Sequence, residues 1–222
     1  MTMDDEHDAS TVESFPLHIL LYPILDEMQQ TDVAASQTLR AAFNKMEKKK
    51  PGFTKQLVHG ILEAKSKNIN LTESLLKLAA LDSEEYILTR RDDKFIRMNQ
   101  QARSLKAILA RLPDQYANRP IFLQTIKDIA CGIKDLLGAL NMIFKDESFF
   151  RDPEQRKTLE TYRKEFIHSS KDFSLNLKIH HINLILKLLK NYFRVGNITD
   201  VYESATHLIH HINLILKLLK TI

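Results

Sequence analysis

A chain of 222 residues has room for one large or two small domains, each with a core of its own, and 44% apolar with 27% charged residues is ordinary for a globular protein. The net charge of +4, from 32 basic and 28 acidic residues, is too balanced to announce a nucleic-acid partner, and a single cysteine excludes an internal disulfide framework. Only five Gly and six Pro among abundant Leu, Ile, Lys and Glu favour helices and leave little room for sheet.

Residues 1–13 are polar and acidic, where a secretory leader would be basic and then apolar, and are expected to be disordered. No stretch of about twenty residues is apolar enough to span a bilayer, so the chain is expected to be cytoplasmic. The first predicted helix, Phe15 to Gln29, has Pro16 in its opening turn, where a missing N–H does no harm, and Pro23 further on, which must kink or split it. Asp32 is placed to cap a second helix that runs to about Lys48 and stops at Pro51-Gly52. A third, about Thr54 to Lys67, gathers Leu57, Ile61 and Leu62 on one face, and a short fourth after Asn70 carries Leu75, Leu76 and Leu78. These helices, within 14–81, hold more apolar surface than they can cover for one another, and pairing with a second chain is the natural remedy. The segment 82–93, with its run SEEYILTRRDD, is charged and lacks sustained periodicity, and reads as a hinge or linker.

Beyond it the pattern strengthens. Phe95, Met98, Ala102, Leu105, Leu109 and Leu112 recur at spacings of three and four. After a break at Leu112-Pro113-Asp114, a helix of roughly thirty residues repeats that rhythm in Phe122, Ile126, Ile129, Ile133, Leu136, Leu140 and Ile143. The next, from about Pro153, turns Leu159, Tyr162, Phe166, Phe173 and Leu177 inward, and the last, after Asn197, carries Val201, Ala205, Leu208, Ile212, Ile215, Leu219 and Ile222. Four such stripes joined by short turns predict an all-α chain whose residues 94–222 form an antiparallel four-helix bundle.

Four lysines on the middle helices stand at matched spacing: Lys127 and Lys134 are seven residues apart, as are Lys171 and Lys178. Seven residues is close to two turns, so each pair points one way. The small Ala130 and Cys131 lie between the first pair, with Gly138 a turn beyond, and Ser174 and Leu175 lie between the second. A shallow, partly apolar groove with cationic rims is a shape that receives an amphipathic helix with acidic edges. From spacing alone, a solvated basic face is the commoner explanation.

Residues 179–190 read IHHINLILKLLK, and residues 209–220 repeat the same twelve letters. Diverged solenoid repeats do not look like this; a recent tandem duplication, or an error in assembling the sequence, does. The second copy continues the heptad of the last helix without a slip, whereas the first interrupts its own, so the first is the insert. Twelve helical residues add about 18 Å and a net turn of about 120°. The expectation is an overhanging helix with an exposed apolar stripe, or a refolded end in which the copy replaces part of the original helix.

The runs QTLRAAF (Gln37 to Phe43), TESLL (Thr72 to Leu76), FLQTIKDIA (Phe122 to Ala130), KEF (Lys164 to Phe166) and NLIL (Asn213 to Leu216) closely resemble, in order, the programmed cell death protein 10 family, that of the third cerebral cavernous malformation protein. The resemblance extends from about Phe15 to Ile222, excluding the first duplicate copy. It implies an N-terminal helical dimerisation domain, a flexible linker and a C-terminal bundle similar to focal-adhesion-targeting domains. It implies a non-enzymatic adaptor without cofactor. Homodimers, or heterodimers with germinal-centre group III kinases, would form through positions matching Leu39, Ala42, Ile61 and Leu62. The groove rimmed by Lys127, Lys134, Lys171 and Lys178, floored by Ala130 and Cys131, would receive leucine-aspartate-type helices of paxillin, the malformation-2 scaffold and striatin. The same resemblance supports a second reading, a peripheral membrane protein whose lysines meet phosphoinositide headgroups at Golgi or plasma membranes. Two departures stand out: the prolines of family linkers are absent near Arg90 to Lys94, and the inserted copy begins directly after Lys178, where it stands to narrow or occlude the groove.

Other constellations carry less. His207 and His211 are four apart, a spacing that can hold zinc, with His210 beside them, but no Glu stands as in HExxH and no cysteine accompanies them, so no metal site is expected. The pairs His180-His181 and His210-His211 reflect copying. Lys48 to Lys50 suit the end of a helix dipole, and Asn70-Leu71-Thr72 and Asn197-Ile198-Thr199 read as helix starts rather than glycosylation sites. Cys131 reads as a small groove residue more than a reactive thiol. With no phosphate-binding glycine loop, nucleophile elbow or recognisable acid pair, no catalytic residue is expected.

Overall fold

The computed structural model describes residues 14–65, 69–81, 86–150, 152–189 and 198–222, with the backbone alone over 181–189. The acidic start (1–13), the expected end of the third helix at Lys67, the head of the expected linker (82–85) and residues 190–197 lie outside the described residues. Among those described, every regular element is helical. They fall into two units, divided between Leu75 and Leu76.

In the first unit the expected opening helix runs through its second proline without a break, changing its hydrogen-bond type just ahead of it. A wide π-helical turn, Leu17–Leu21, leads into α1 (Tyr22–Gln29), with Pro23 in the first turn of α1, where its missing N–H breaks the α-type ladder. Asp32 then caps α2 (Val33–Lys49), its carboxylate accepting the Ala35 N–H at 2.9 Å. Ser36 lets α1 and α2 close on each other: it is buried and its hydroxyl donates to the Leu25 carbonyl at 2.7 Å. Tyr22 donates to Asn44 Oδ1 at 2.6 Å, while Arg40 stacks over the Tyr22 ring and pairs with Asp26.

The corner into α3 (Phe53–Ala64) depends on Gly52, at φ +79°, and on a buried carboxylate. Glu47 accepts the Gly52 N–H at 2.6 Å, the Thr54 N–H at 2.9 Å and the Thr54 hydroxyl at 2.7 Å, placing negative charge at the start of α3. Glu47→Ala would strand these donors, and is expected to lower stability by about 2–3 kcal/mol. Urea denaturation followed by circular dichroism checks this, with Glu47→Gln, which keeps one acceptor, falling in between. The next helix, α4 (Leu71–Ala79), starts at Asn70, whose side chain accepts the Glu73 N–H at 3.2 Å, and the division between units runs through it.

The second unit holds four long helices: α5 (Asp93–Ala110), α7 (Arg119–Phe144), α8 (Pro153–Leu189) and α9 (Ile198–Thr221). A short α6 (Leu112–Gln115) joins α5 to α7. A 3-10 turn, Glu147–Phe149, joins α7 to α8. The helices form a ring in which α5 packs on α7 and α9, and α8 packs on α9 and α7. Neighbours run in opposite directions. Lys94 at the start of α5 pairs with Asp146 after the end of α7, and Asn176 of α8 reaches Asp200 at the start of α9 while Glu165 faces His211 further along. The first predicted stripe is buried as its periodicity requires, with Phe95, Met98, Ala102, Leu105, Leu109 and Leu112 each at 0% exposure, whereas Ile126, Ile133, Tyr162 and Ile222, expected inward, are only half-buried. At Gly132 a Cβ would meet Leu105 Cδ1 at 3.0 Å, so a larger residue there would make the Leu105 side chain shift, and the close approach of α5 and α7 favours glycine.

One corner of the bundle is aromatic. Phe95 meets Phe149 edge-on at 5.1 Å, and Arg90 lies 4.8 Å over both rings. Leu88 is buried, so the later half of the expected linker lies against the bundle. Fully buried Lys106 donates to the Leu81 carbonyl at 3.3 Å beside the Tyr86 ring. Hydrogen bonds from Lys94 and Ser148 hold Asp146 down to about 2.

At the duplicate, the helix continues rather than refolding. α8 is unbroken for 37 residues, against 24 in α9. Because Asn176 stands opposite Asp200, Lys178 is level with Ile198, the first residue of α9, and 179–189 run beyond that level, about 16 Å of helix. His180 still packs against Tyr116, with ring centres 5.4 Å apart.

In the second copy, His211 is buried. Burial first, then the nearby His207 and His168, lower its pKa from 6.5 to about 4, so it is neutral at pH 7 and its 3.7 Å approach to Glu165 is not an ion pair. The unfolded chain takes up this proton near pH 6.5 and the folded one only near pH 4, so stability falls as the pH drops through that window. The expected loss is about 2 kcal/mol after allowance for partial solvent access. Urea midpoints in chelator-treated buffer at pH 7 and pH 4.5 should therefore differ less for His211→Gln than for the parent chain.

Candidate functional site

Helices α7 and α8 do not close completely along their outer seam. On α7 the small Ala130 sits beside Ile133 and Leu137, and on α8 Ser170 and Ser174 sit among Ile167, Lys171, Leu175 and Lys178. Short side chains at the middle of a seam flanked by longer ones leave a trough, here of about 510 Å³ and open to solvent. Its walls are mainly apolar, and Leu175 stands 55% exposed within it. A leucine held in water beside an empty apolar trough is a surface that gains free energy when covered.

Five predicted groove residues, Ala130, Lys171, Ser174, Leu175 and Lys178, line this trough. Lys127 and Lys134 are exposed on the adjoining strip of α7, turned roughly 40–60° from Ala130, where they border the trough rather than line it. Cys131, expected on the floor, is exposed and turned about 100° from Ala130, out of the lining. The floor comes instead from Ile133, Leu137 and Ile167, which sequence reading did not single out as groove residues. Ile133 belongs to the predicted core stripe but is half-buried, and the signal for the floor is the stripe Ala130, Ile133 and Leu137 with a small residue at its head.

Among the described residues, Lys127, Lys134, Lys171 and Lys178 make no ion pair, whereas neighbouring Lys164 is held by Glu160 at 3.0 Å. The side chains of the inserted copy beyond His180, expected to narrow or occlude the Lys178 end, lie outside the described residues.

The first unit carries a second surface. Leu39, Ala42 and Met46 follow one another along α2 at helical spacing, and all three are exposed. On α3, Ile61 is 51% exposed and Leu62 is half-buried. Leu39 stands 41% exposed, so two branched aliphatic side chains from two helices meet water in a single chain. No helix among the described residues is long and apolar enough to cross a membrane.

Residues 9–68 match the family model for the dimerisation domain of programmed cell death protein 10, and residues 69–160 match the model for its C-terminal part. The junction lies just ahead of α4, and the α8 wall of the trough lies beyond the second match. The chain is also similar to the programmed cell death protein 10 homolog of Caenorhabditis elegans, at 27% identity over 198 residues and 85% of each chain. With its two parts matched end to end from residue 9 to residue 160, more than half its length, the chain belongs to the programmed cell death protein 10 family.

Proposed function

We propose that this chain is a non-enzymatic, cytoplasmic adaptor that pairs through the apolar face of its first unit and docks partner helices in the trough between α7 and α8. The carrying observation is the exposed Leu175 in an apolar trough bordered by four lysines that make no ion pair among the described residues. Burying two or three leucine-class anchors there contributes roughly 1.5–3 kcal/mol each before association costs, and rim ion pairs about 0.2–1 kcal/mol each. The floor therefore supplies most of the affinity, and the lysines select acidic partners and set their orientation. Family membership supports leucine-aspartate-type helices of paxillin, the malformation-2 scaffold and striatin as ligands. It likewise supports germinal-centre group III kinases as alternative partners of the face around Leu39, Ala42, Ile61 and Leu62. A kinase tail and a second copy cannot both cover that face, so exchange between them would be competitive.

The same four lysines, without ion pairs among the described residues, favour a second reading, binding to phosphoinositide headgroups. Titration of the full chain into a labelled acidic amphipathic peptide and into anionic vesicles separates the two. Micromolar peptide binding that disappears when the peptide's leucines become alanine supports docking. Vesicle binding with no leucine-dependent peptide binding would replace it with the membrane reading.

A further inference from the structure

The histidines of α9 face companions that their own sequence neighbourhood lacks. The antiparallel register sets Glu165 against His211, whose Nδ1 lies 3.7 Å from Glu165 Oε2, and one turn along it sets His168 of α8 at the level of His207. Glu165 and His168 are three apart on one helix and His207 and His211 four apart on the other, so each pair shares a side of its helix and borders the same outer seam. His211 Nδ1 belongs to a residue 8% exposed and has no hydrogen-bond partner among the described residues. A buried ring nitrogen without a partner, aimed at a carboxylate, is an arrangement that a cation completes.

We propose that Glu165, His168, His207 and His211 form a site, bridging α8 and α9, for one divalent transition-metal ion of the zinc class. Two imidazole or carboxylate donors bound to tetrahedral zinc at about 2.0–2.1 Å stand roughly 3.3 Å apart, so the Glu165–His211 pair is already near the required bite. Among the described residues no three donors yet converge, because His168 Nδ1 is turned to Asp172 at 2.8 Å. The His168 side chain is 78% exposed and His207 is partly exposed, and binding requires both rings to change rotamer, His168 giving up Asp172. Three nitrogens and one carboxylate oxygen suit zinc better than calcium or magnesium. Loading would pin α8 to α9 beside the turn of α8 that carries Lys171, stiffening one wall of the trough from behind. The site does not depend on the docking reading, and its test does not use a peptide.

The test uses the full chain, stripped with chelator and titrated with Zn²⁺ in competition with a chromophoric chelator, and with Co²⁺ as a spectroscopic probe. The expected result is one tight equivalent of Zn²⁺, intense visible bands from four-coordinate Co²⁺, and at least tenfold weaker binding in Glu165→Ala, His168→Ala and His207→Ala. His59→Ala, in the first unit, should bind as the parent does. These three site variants change exposed or partly exposed positions, so they remain informative if buried His211→Ala fails to fold. No stoichiometric Zn²⁺ binding, octahedral Co²⁺ spectra, or unchanged affinity in the His168→Ala/His207→Ala double variant would overturn the site.

Discussion

Leu39→Asp combined with Ile61→Asp is expected to turn a dimer into a folded monomer. In a two-fold dimer each position occurs twice, so four aliphatic side chains leave the interface and four carboxylates enter it. At roughly 1.5–3 kcal/mol for each buried side chain, before any charge repulsion, the dissociation constant should rise at least about a thousandfold. The monomer itself should be little disturbed, because Leu39 and Ile61 are 41% and 51% exposed in the single chain. Sedimentation equilibrium measures the mass, and circular dichroism confirms the helices. A variant that stays dimeric at the parent's affinity would place the dimer face elsewhere on the unit.

The second large effect is expected at the trough. Ile133→Asp puts a carboxylate into the apolar floor, where a docked leucine would have to desolvate it, and binding of an acidic amphipathic peptide should fall by more than about a hundredfold. Charge reversal at the rim should act more gently. Lys171→Glu with Lys178→Glu is expected to weaken the peptide by about tenfold, and more at low salt, since each exposed ion pair contributes only about 0.2–1 kcal/mol. Lys127→Glu with Lys134→Glu should weaken it less, because those lysines border the trough while Lys171 and Lys178 line it. Isothermal titration of the same peptide against all four proteins tests this order. A floor substitution milder than rim reversal would mean that charge, not apolar burial, holds the ligand.

Much of the fold was legible because it is written in local chemistry. Asp32 and Asn70 accept backbone N–H groups at helix starts, and the α5 stripe repeats at the period that buries one face. Pro23, which lacks an N–H, marks where the first helix changes from a π-helical turn to α-helix. Features that depend on two helices meeting were hidden. Glu47 closes a turn five to seven residues away, and Lys106 reaches the Leu81 carbonyl, yet neither interrupts the period of its own helix. The groove was half visible for the same reason. Lysine spacing points to the seam that Lys171 and Lys178 line, but the rotation that turns Cys131 out and brings Ile133 and Ile167 in follows from how α7 and α8 are set against each other. Glu165 and His168 lie about forty residues from the histidines they face, a pairing that only the antiparallel register of α8 and α9 reveals.

Whether the trough reads the charge of a visiting helix is tested most directly by swapping charges on both sides. The parent chain and Lys171→Glu/Lys178→Glu are each titrated, by fluorescence anisotropy, with an acidic-edged leucine helix and with its twin in which the acidic residues are lysine. The parent should prefer the acidic peptide and the variant the basic one, with both preferences shrinking as salt is raised. Equal preference in the two proteins would contradict docking in this trough.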